Sequence, residues 1–172
     1  MARARNHIPP GPPVRLLIVE DSPADAELMA ATLVRAGYRL TVDIADTPGE
    51  FRRRLREREY DAILADFNLR SWTAMEALRI LSEVGEDIPL VKDIPLIVVT
   101  GSLGDEAAVD CIKRGATDFV LKSRFESLPG ILSRALREKA QREESARLQE
   151  QIWAAKHDWE LTFDTVPDPV LV

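Results

Sequence analysis

Short apolar runs alternate with amphipathic stretches over most of the chain. Five runs are bounded by polar or turn-forming residues, and their length is typical of buried β-strands rather than of helices. They cover residues 14–19, 40–45, 62–65, 96–100 and 117–121. The first run is almost continuously apolar, as expected of a central strand in a parallel sheet that is covered on both faces.

Helices are predicted between these runs, and two of them have strong start signals. Ser22-Pro23 and Thr47-Pro48 each combine an N-cap hydroxyl with a proline at the first helical position. The predicted helices cover 23 to about 36, 48 to about 59, 73–83 and 105 to about 114, with Gly37 and Gly115 after the first and the last. This alternation predicts an α/β fold, a flavodoxin-like doubly wound sheet of five parallel strands in the order 2-1-3-4-5, with an extended C-terminal helix.

A six-residue motif occurs twice in direct succession before the fourth strand. Residues 87–92 read DIPLVK and residues 93–98 read DIPLIV. Only the second copy leads directly into Val99 and Thr100, so we expect it to supply the strand. The first copy is expected to form an extended loop or an edge segment.

Acidic side chains follow the first and third predicted strands. Glu20 and Asp21 come after the first, and Asp66 ends the third. In the order 2-1-3-4-5 the switch point lies between these two strands, so the three carboxylates are expected to meet in the crevice beyond the strand ends. Thr100 and Lys122 reach the same edge from the fourth and fifth strands. Taken alone, Asp66 is equally consistent with the cap of a turn.

This set of residues predicts chemistry with a divalent cation and a phosphoryl group. Three neighbouring carboxylates repel each other unless a cation neutralises them, and oxygen ligands of this kind suit Mg²⁺. An aspartate oxygen is a competent nucleophile toward phosphorus. Mg²⁺ and Lys122 would balance the charge of the transferred group, and Thr100 would supply a hydroxyl. On the alternative interpretation, Lys122 is an ordinary surface lysine and Thr100 an ordinary strand residue.

On these residues the chain resembles the receiver domain of two-component response regulators, from about residue 14 to 139. The resemblance implies that Asp66 accepts phosphate from a histidine kinase or a phosphotransfer protein, so the domain is not expected to be an enzyme. It also implies that Asp21 binds Mg²⁺ directly, that Glu20 acts largely through water, and that Asn68 offers its backbone carbonyl.

The resemblance further implies how the phosphoryl group is sensed. Thr100 and Lys122 would contact it, and Thr100 with Phe119 would form the switch, although Phe119 is equally well an ordinary core residue. The chain departs from the family at Arg70–Trp72 in place of a Pro-Gly turn, at Ala74 in place of glycine, and at Ser123 in place of proline. These departures leave the loop shapes open. The altered loop at Arg70–Trp72 and the duplication before the fourth strand permit an alternative function, a pseudo-receiver that is not phosphorylated and acts as an interaction or dimerisation module.

The helical pattern continues past the end of a receiver domain. We expect a disordered leader over 1–13, a receiver core over 14–125, an extended helix over 126–160, and the truncated start of a PAS-like sensor domain over 161–172. The chain is therefore expected to be a piece of a longer signalling protein that relays its signal to a PAS or other output module.

Four residues of the extended helix form a short heptad seam. Leu148, Ile152, Ala155 and Trp159 recur at spacings of four, three and four. The seam predicts a parallel homodimer through this helix. On the alternative interpretation the helix is simply solvated.

Composition and missing motifs disfavour other classes of protein. Hydrophobic residues make up 45% and charged residues 30% of the chain, and no apolar run approaches the ~20 residues of a membrane span. No apolar signal core is present, so a cytoplasmic protein is expected. The net charge of -6 without a basic stripe argues against nucleic-acid binding. A haloacid-dehalogenase-like phosphatase would need a second aspartate where Asn68 stands, and His157 lacks the proline expected after a kinase phosphoacceptor.

Overall fold

Five parallel strands form one sheet in the order β2-β1-β3-β4-β5, which confirms the predicted topology. The computed structural model describes residues 13–101 and 105–163. Compact packing divides the chain into a unit up to Leu136, which contains the sheet, and a unit from Arg137 onward. The strands are β1 (Val14–Val19), β2 (Leu40–Ala45), β3 (Ala62–Asp66), β4 (Leu96–Thr100) and β5 (Asp118–Leu121).

The register brings the carboxyl ends of the inner strands to one edge. Val19 at the end of β1 is the partner of Ala65 in β3, so Glu20 and Asp66 each come one residue later. On the other side, Thr100 at the end of β4 pairs with Leu121, directly before Lys122. The sequence-predicted site residues therefore share one end of the sheet.

Four helices lie close to their predicted positions. They are α1 (Pro23–Arg35), α2 (Pro48–Glu57), α3 (Ala74–Asp87) and α5 (Asp105–Lys113). The hydroxyls of Ser22 and Thr47 cap α1 and α2 by accepting backbone N–H groups three residues ahead, as the sequence indicates. Gly37 follows α1 at a φ of 102°, in the left-handed region that favours glycine.

The first copy of the repeated motif forms a one-turn helix, α4 (Pro89–Lys92), so the prediction of an extended or edge segment was wrong. The turn closes because the carbonyl of Ile88 accepts the N–H of Val91, and that of Val91 accepts the N–H of Ile94. Val91 and Ile94 are thereby buried with the residues of α3. The segment therefore forms a helical turn rather than a strand, because the turn buries Val91 and Ile94.

Both faces of the sheet are covered by helices. Every residue of β3 and β4 is buried, as expected of central strands. One face packs with α2 and α3, and its strand residues include Leu17, Val19, Ile63, Ala65 and Val98. The other face packs with α1 and with Leu128 and Leu132, and its strand residues include Leu16, Ile18, Leu64, Ile97 and Val99.

A short 3-10 helix (Lys122–Ser127) links β5 to the long helix α6 (Leu128–Phe163). The predicted helix therefore begins two residues later than expected, because Arg124 has non-helical backbone angles. No helix among the described residues is long and apolar enough to cross a membrane. The leader up to residue 12, the side chain of Trp159, and the PAS-like start from 164 lie outside the described residues.

Candidate functional site

The ammonium of Lys122 lies among three carboxylates at the carboxyl edge of the sheet. Its Nζ is 2.5 Å from Asp25 Oδ2, 2.9 Å from Asp66 Oδ2 and 3.6 Å from Glu20 Oε2. Glu20 and Asp66 are only 2% and 7% exposed. The structure thus brings together Glu20, Asp66 and Lys122, which the sequence had placed at one edge.

One oxygen of Glu20 is buried without a hydrogen-bond donor among the described residues. The other oxygen accepts the backbone N–H groups of Asp21 and Ser22, each at 3.0 Å. Burial raises the pKa of the Glu20 carboxyl; the Ser22 amide opposes this shift, and the negative charge of Asp66 adds to it. A buried carboxylate oxygen that lacks a donor is a suitable ligand for a hard cation.

Asp25, which the sequence analysis did not single out, belongs to the same cluster. Glu20, Asp25 and Asp66 each offer an oxygen within 4.8 Å of the other two. Asp25 stands in the first turn of α1, three residues after the N-cap Ser22. An acid at this position usually turns back to the cap amide, but Glu20 already accepts the Ser22 N–H, and Asp25 contacts Lys122 instead.

Asp21 has a different environment from its neighbour Glu20. Its Oδ2 accepts the backbone N–H of Arg70 at 2.7 Å and lies 3.5 Å from the Arg70 Nε. Asp21 is not one of the three carboxylates that lie within 4.8 Å of one another in the described part of the chain. Its role as a direct ligand of Mg²⁺ stays a prediction.

The loop after β3, which departs from the family pattern, is tightly closed. Asn68 donates its N–H to Asp66 Oδ1 at 3.4 Å and forms an isolated bridge with Thr73. Trp72 is buried, donates its indole N–H to the carbonyl of Asp46 at 3.1 Å, and packs against the ring of Phe51. The loop therefore has a buried aromatic anchor, whereas the family usually has a Pro-Gly turn.

The remaining predicted site residues occupy the neighbouring strands. Thr100 is fully buried at the end of β4. Gly101 follows it, and a Cβ at that position would meet no atom of the described residues within 4 Å, so there is open space at Gly101. Phe119 in β5 is partly buried against the core under α2 and α3. The roles of Thr100 and Phe119 in a switch stay predictions.

The charges of the pocket favour a bound cation. Burial lowers the pKa of Lys122, but its hydrogen bonds to Asp25 and Asp66 outweigh that effect and leave the pKa raised, so the lysine is an ammonium at neutral pH. Three carboxylates around one ammonium leave an excess of two negative charges when all are ionised, 3 − 1 = 2. The residues present therefore fit Mg²⁺, which prefers a few carboxylates and water.

A curated relative matches most of the chain. The transcriptional regulatory protein ZraR of Escherichia coli O157:H7 is 28% identical over 124 residues, which cover 72% of this chain and 26% of that protein. The chain thus spans about a quarter of the length of the curated relatives it matches.

Two solved receiver structures share the fold. One is the receiver domain of the sensor histidine kinase PA1611 from Pseudomonas aeruginosa PAO1, which has a magnesium ion in its active-site cleft. It is 25% identical to this chain, with a TM-score of 0.59, and the match covers 73% of this chain and 98% of that chain. The beryllofluoride-activated NtrC4 receiver domain dimer is 26% identical with a TM-score of 0.59, and its coverage is the same. The family model described as the response regulator receiver domain matches residues 16–131. Because that match spans well over half of the chain, the protein belongs to the response regulator receiver domains of two-component systems.

Proposed function

We propose that the chain is a phospho-accepting receiver in which Asp66 takes up a phosphoryl group. One observation carries the proposal: the buried Asp66 places its Oδ2 2.9 Å from the ammonium of Lys122. The Asp66 carboxylate attacks phosphorus, a new O–P bond forms, and the bond from phosphorus to the donor breaks. The leaving group of the donor, the imidazole nitrogen of a histidine kinase or phosphotransfer protein, takes the electron pair.

The surrounding residues balance the charge of the transferred group. Lys122 contacts a phosphoryl oxygen, and the hydroxyl of Thr100 donates to another, beside the space at Gly101. Glu20, Asp21, Asp66 and the carbonyl of Asn68 would hold Mg²⁺. Mg²⁺ supplies additional positive charge when it is bound. The donor-free oxygen of Glu20 and the P. aeruginosa receiver with its magnesium ion support this assignment.

The signal then passes to a partner or to an output module. We infer that Thr100 and Phe119 respond to the phosphoryl group. The chain forms a homodimer through α6 and relays the signal to a downstream PAS-like module. This signalling takes place in the cytoplasm. The uninterrupted course of α6 from Leu128 to Phe163 supports a relay, and the dimeric NtrC4 receiver supports self-association. Neither a membrane nor a nucleic acid is assigned as a partner of this chain.

Phosphorylation by acetyl phosphate tests the proposal. The chain is incubated with acetyl phosphate and Mg²⁺, and its intact mass is measured. The parent should gain one phosphoryl group and Asp66→Asn none. Asp61→Asn, at the opposite end of the same strand, is the control and should be labelled like the parent. Labelling of Asp66→Asn at the parent rate would refute the assignment of Asp66.

One observation favours a second candidate, the pseudo-receiver that acts only as an interaction module. One oxygen of the Asp21 carboxylate, Oδ2, contacts the backbone N–H and the side chain of Arg70, and these contacts compete with a metal for that oxygen. A titration with Mg²⁺, followed by Trp72 fluorescence in a Trp153→Phe, Trp159→Phe background, separates the two functions. A saturable change supports the phosphorylated receiver, and no binding at millimolar Mg²⁺ supports the pseudo-receiver.

A further inference from the structure

The shortest contact of the Lys122 ammonium is with Asp25, not with the proposed phosphoacceptor. The distance from Nζ is 2.5 Å to Asp25 Oδ2 and 2.9 Å to Asp66 Oδ2. The backbone of Asp25 is well anchored, because its N–H donates to the hydroxyl and the carbonyl of the N-cap Ser22. The first turn of α1 therefore holds in place the backbone that carries the Asp25 carboxylate.

The two partners of Lys122 differ in what phosphorylation does to them. Once Asp66 carries a phosphoryl group, its carboxylate becomes an acyl phosphate, and the negative charge lies on the phosphoryl oxygens instead of the carboxylate. Asp25 takes no part in that bond change and keeps its charge. A free lysine side chain loses rotamer entropy on being ordered, so an acceptor that keeps its own charge matters for where the ammonium lies.

The other acidic residues of the pocket are poorly placed for this task. Glu20 Oε2 is 3.6 Å from Nζ, and the other oxygen of Glu20 accepts two backbone N–H groups. Asp21 accepts the N–H of Arg70. We propose that Asp25 is a positioning residue that holds the ammonium of Lys122 at the pocket both before and after Asp66 is phosphorylated. The second half of this statement rests on the proposed function of Asp66.

A chemical test of the lysine does not depend on phosphorylation. The rate of reductive methylation of Lys122 in the intact chain is compared with that of the exposed Lys113 by peptide mass spectrometry. In the parent, Lys122 should react at least about tenfold more slowly, as a tightly held amine does. Asp25→Ala should raise its rate severalfold, and Asp25→Asn, which keeps an acceptor oxygen, should lie between the two. Glu27→Ala, an exposed acid on the same helix, is the control and should change nothing.

Equal rates for Lys122 and Lys113 in the parent would overturn the proposal, and so would an unchanged Lys122 rate in Asp25→Ala. If Asp25→Ala does not unfold cooperatively in urea, the variant is not properly folded and only Asp25→Asn is used. A higher methylation rate of Lys122 in Asp25→Asn than in the parent supports the proposal, and an equal methylation rate overturns it.

A kinetic test covers the phosphorylated state. At saturating Mg²⁺, Asp25→Ala should lower the initial rate of labelling by acetyl phosphate about tenfold, since a displaced charged group loses much of its effect. Asp25→Asn should recover part of the rate, and the Mg²⁺ affinity of each variant should fall only modestly, as expected when a nearby charge but no metal ligand is removed. Faster labelling of Asp25→Ala than of the parent would show that the Asp25 charge repels the phosphoryl donor. A large loss of Mg²⁺ affinity would show that Asp25 is a metal ligand. Either result overturns the proposal. If the parent is not labelled at all, the proposed function fails, whereas the methylation rates still decide whether Asp25 holds Lys122.

Discussion

Lys122 contacts Asp66 across the end of an intervening strand. Lys122 follows β5 and Asp66 ends β3, and β4 lies between these two strands in the sheet. Nevertheless, Lys122 Nζ is 2.9 Å from Asp66 Oδ2. The long lysine side chain therefore joins two strands that share no backbone hydrogen bonds, and it compensates the charge of a carboxylate that is largely removed from water.

This relationship predicts that Lys122 stabilises the fold when no metal is present. Lys122→Met leaves Glu20 and Asp66 as buried charges without their cation. We expect the free energy of unfolding in EDTA to fall by about 1–2 kcal/mol, less than for a fully buried pair because Lys122 is partly exposed. Mg²⁺ should restore more stability to the variant than it adds to the parent.

Urea denaturation of both proteins, with and without Mg²⁺, measures these differences. Lys113→Met on α5 removes an exposed lysine and should change stability by no more than about 0.5 kcal/mol. Equal losses in the two variants would mean that the Lys122 ammonium has no special role in compensating the pocket.

The buried carboxyl of Glu20 predicts a pH dependence of stability. Its pKa in the folded protein is raised above the usual 4.5, mainly by burial, so the folded state binds this proton more tightly than the unfolded chain. The resulting stability is fully present below the unfolded pKa and is lost as the pH rises through the folded pKa. In EDTA, the stability of Glu20→Gln relative to the parent should therefore increase as the pH rises above about 4.5. Urea denaturation at a series of pH values, with the exposed Glu27→Gln as control, checks this, and a difference independent of pH would contradict it.

The sheet and much of the pocket were predictable because they depend on backbone order. Strand ends fix where Glu20, Asp66, Thr100 and Lys122 emerge, and the carboxyl ends of parallel strands share one edge. The alternation of strands and helices indicates a doubly wound sheet, and 2-1-3-4-5 is one of the two common strand orders of such sheets. No side-chain detail is needed for this part.

The side-chain contacts that the sequence did not reveal depend on competition between possible partners. Asp25 reaches Lys122 because Glu20 already binds the cap amide, and Asp21 bonds to Arg70 because a buried Trp72 closes the loop. Both contacts, that of Asp25 with Lys122 and that of Asp21 with Arg70, depend on side-chain directions that the spacing of residues along the chain does not specify. The repeated motif shows the same limit, since two nearly identical segments form a helical turn and a strand.

Close packing between α3 and α4 predicts that Gly85 does not tolerate a side chain. A Cβ on Gly85 would lie 2.9 Å from the Cβ and 3.0 Å from the Cα of Lys92. Gly85→Ala should lower the free energy of unfolding by about 1–3 kcal/mol, although alanine favours helices. Gly130→Ala is the matched control, because no atom in the described part of the chain lies within 4 Å of its added Cβ. Urea denaturation should find this control neutral or more stable by up to about 1 kcal/mol, and equal effects at both sites would contradict the close approach of Lys92.

The exposed apolar residues of α6 predict a concentration-dependent dimer. Leu148 and Ile152 are 47% and 69% exposed, and both belong to the heptad seam. Burying an isoleucine stabilises an interface by roughly 1.5–3 kcal/mol, so Ile152→Lys should weaken the dimer at least about tenfold. Ala154→Lys introduces the same charge two residues away, off the seam, and should leave the dissociation constant within about threefold of the parent value. Sedimentation equilibrium over a range of concentrations measures both constants, and circular dichroism checks that the two variants keep the same helix content. Equal weakening by both variants would show that added charge, rather than loss of the seam, disrupts association, and a parent that stays monomeric would remove the seam as the basis of a dimer.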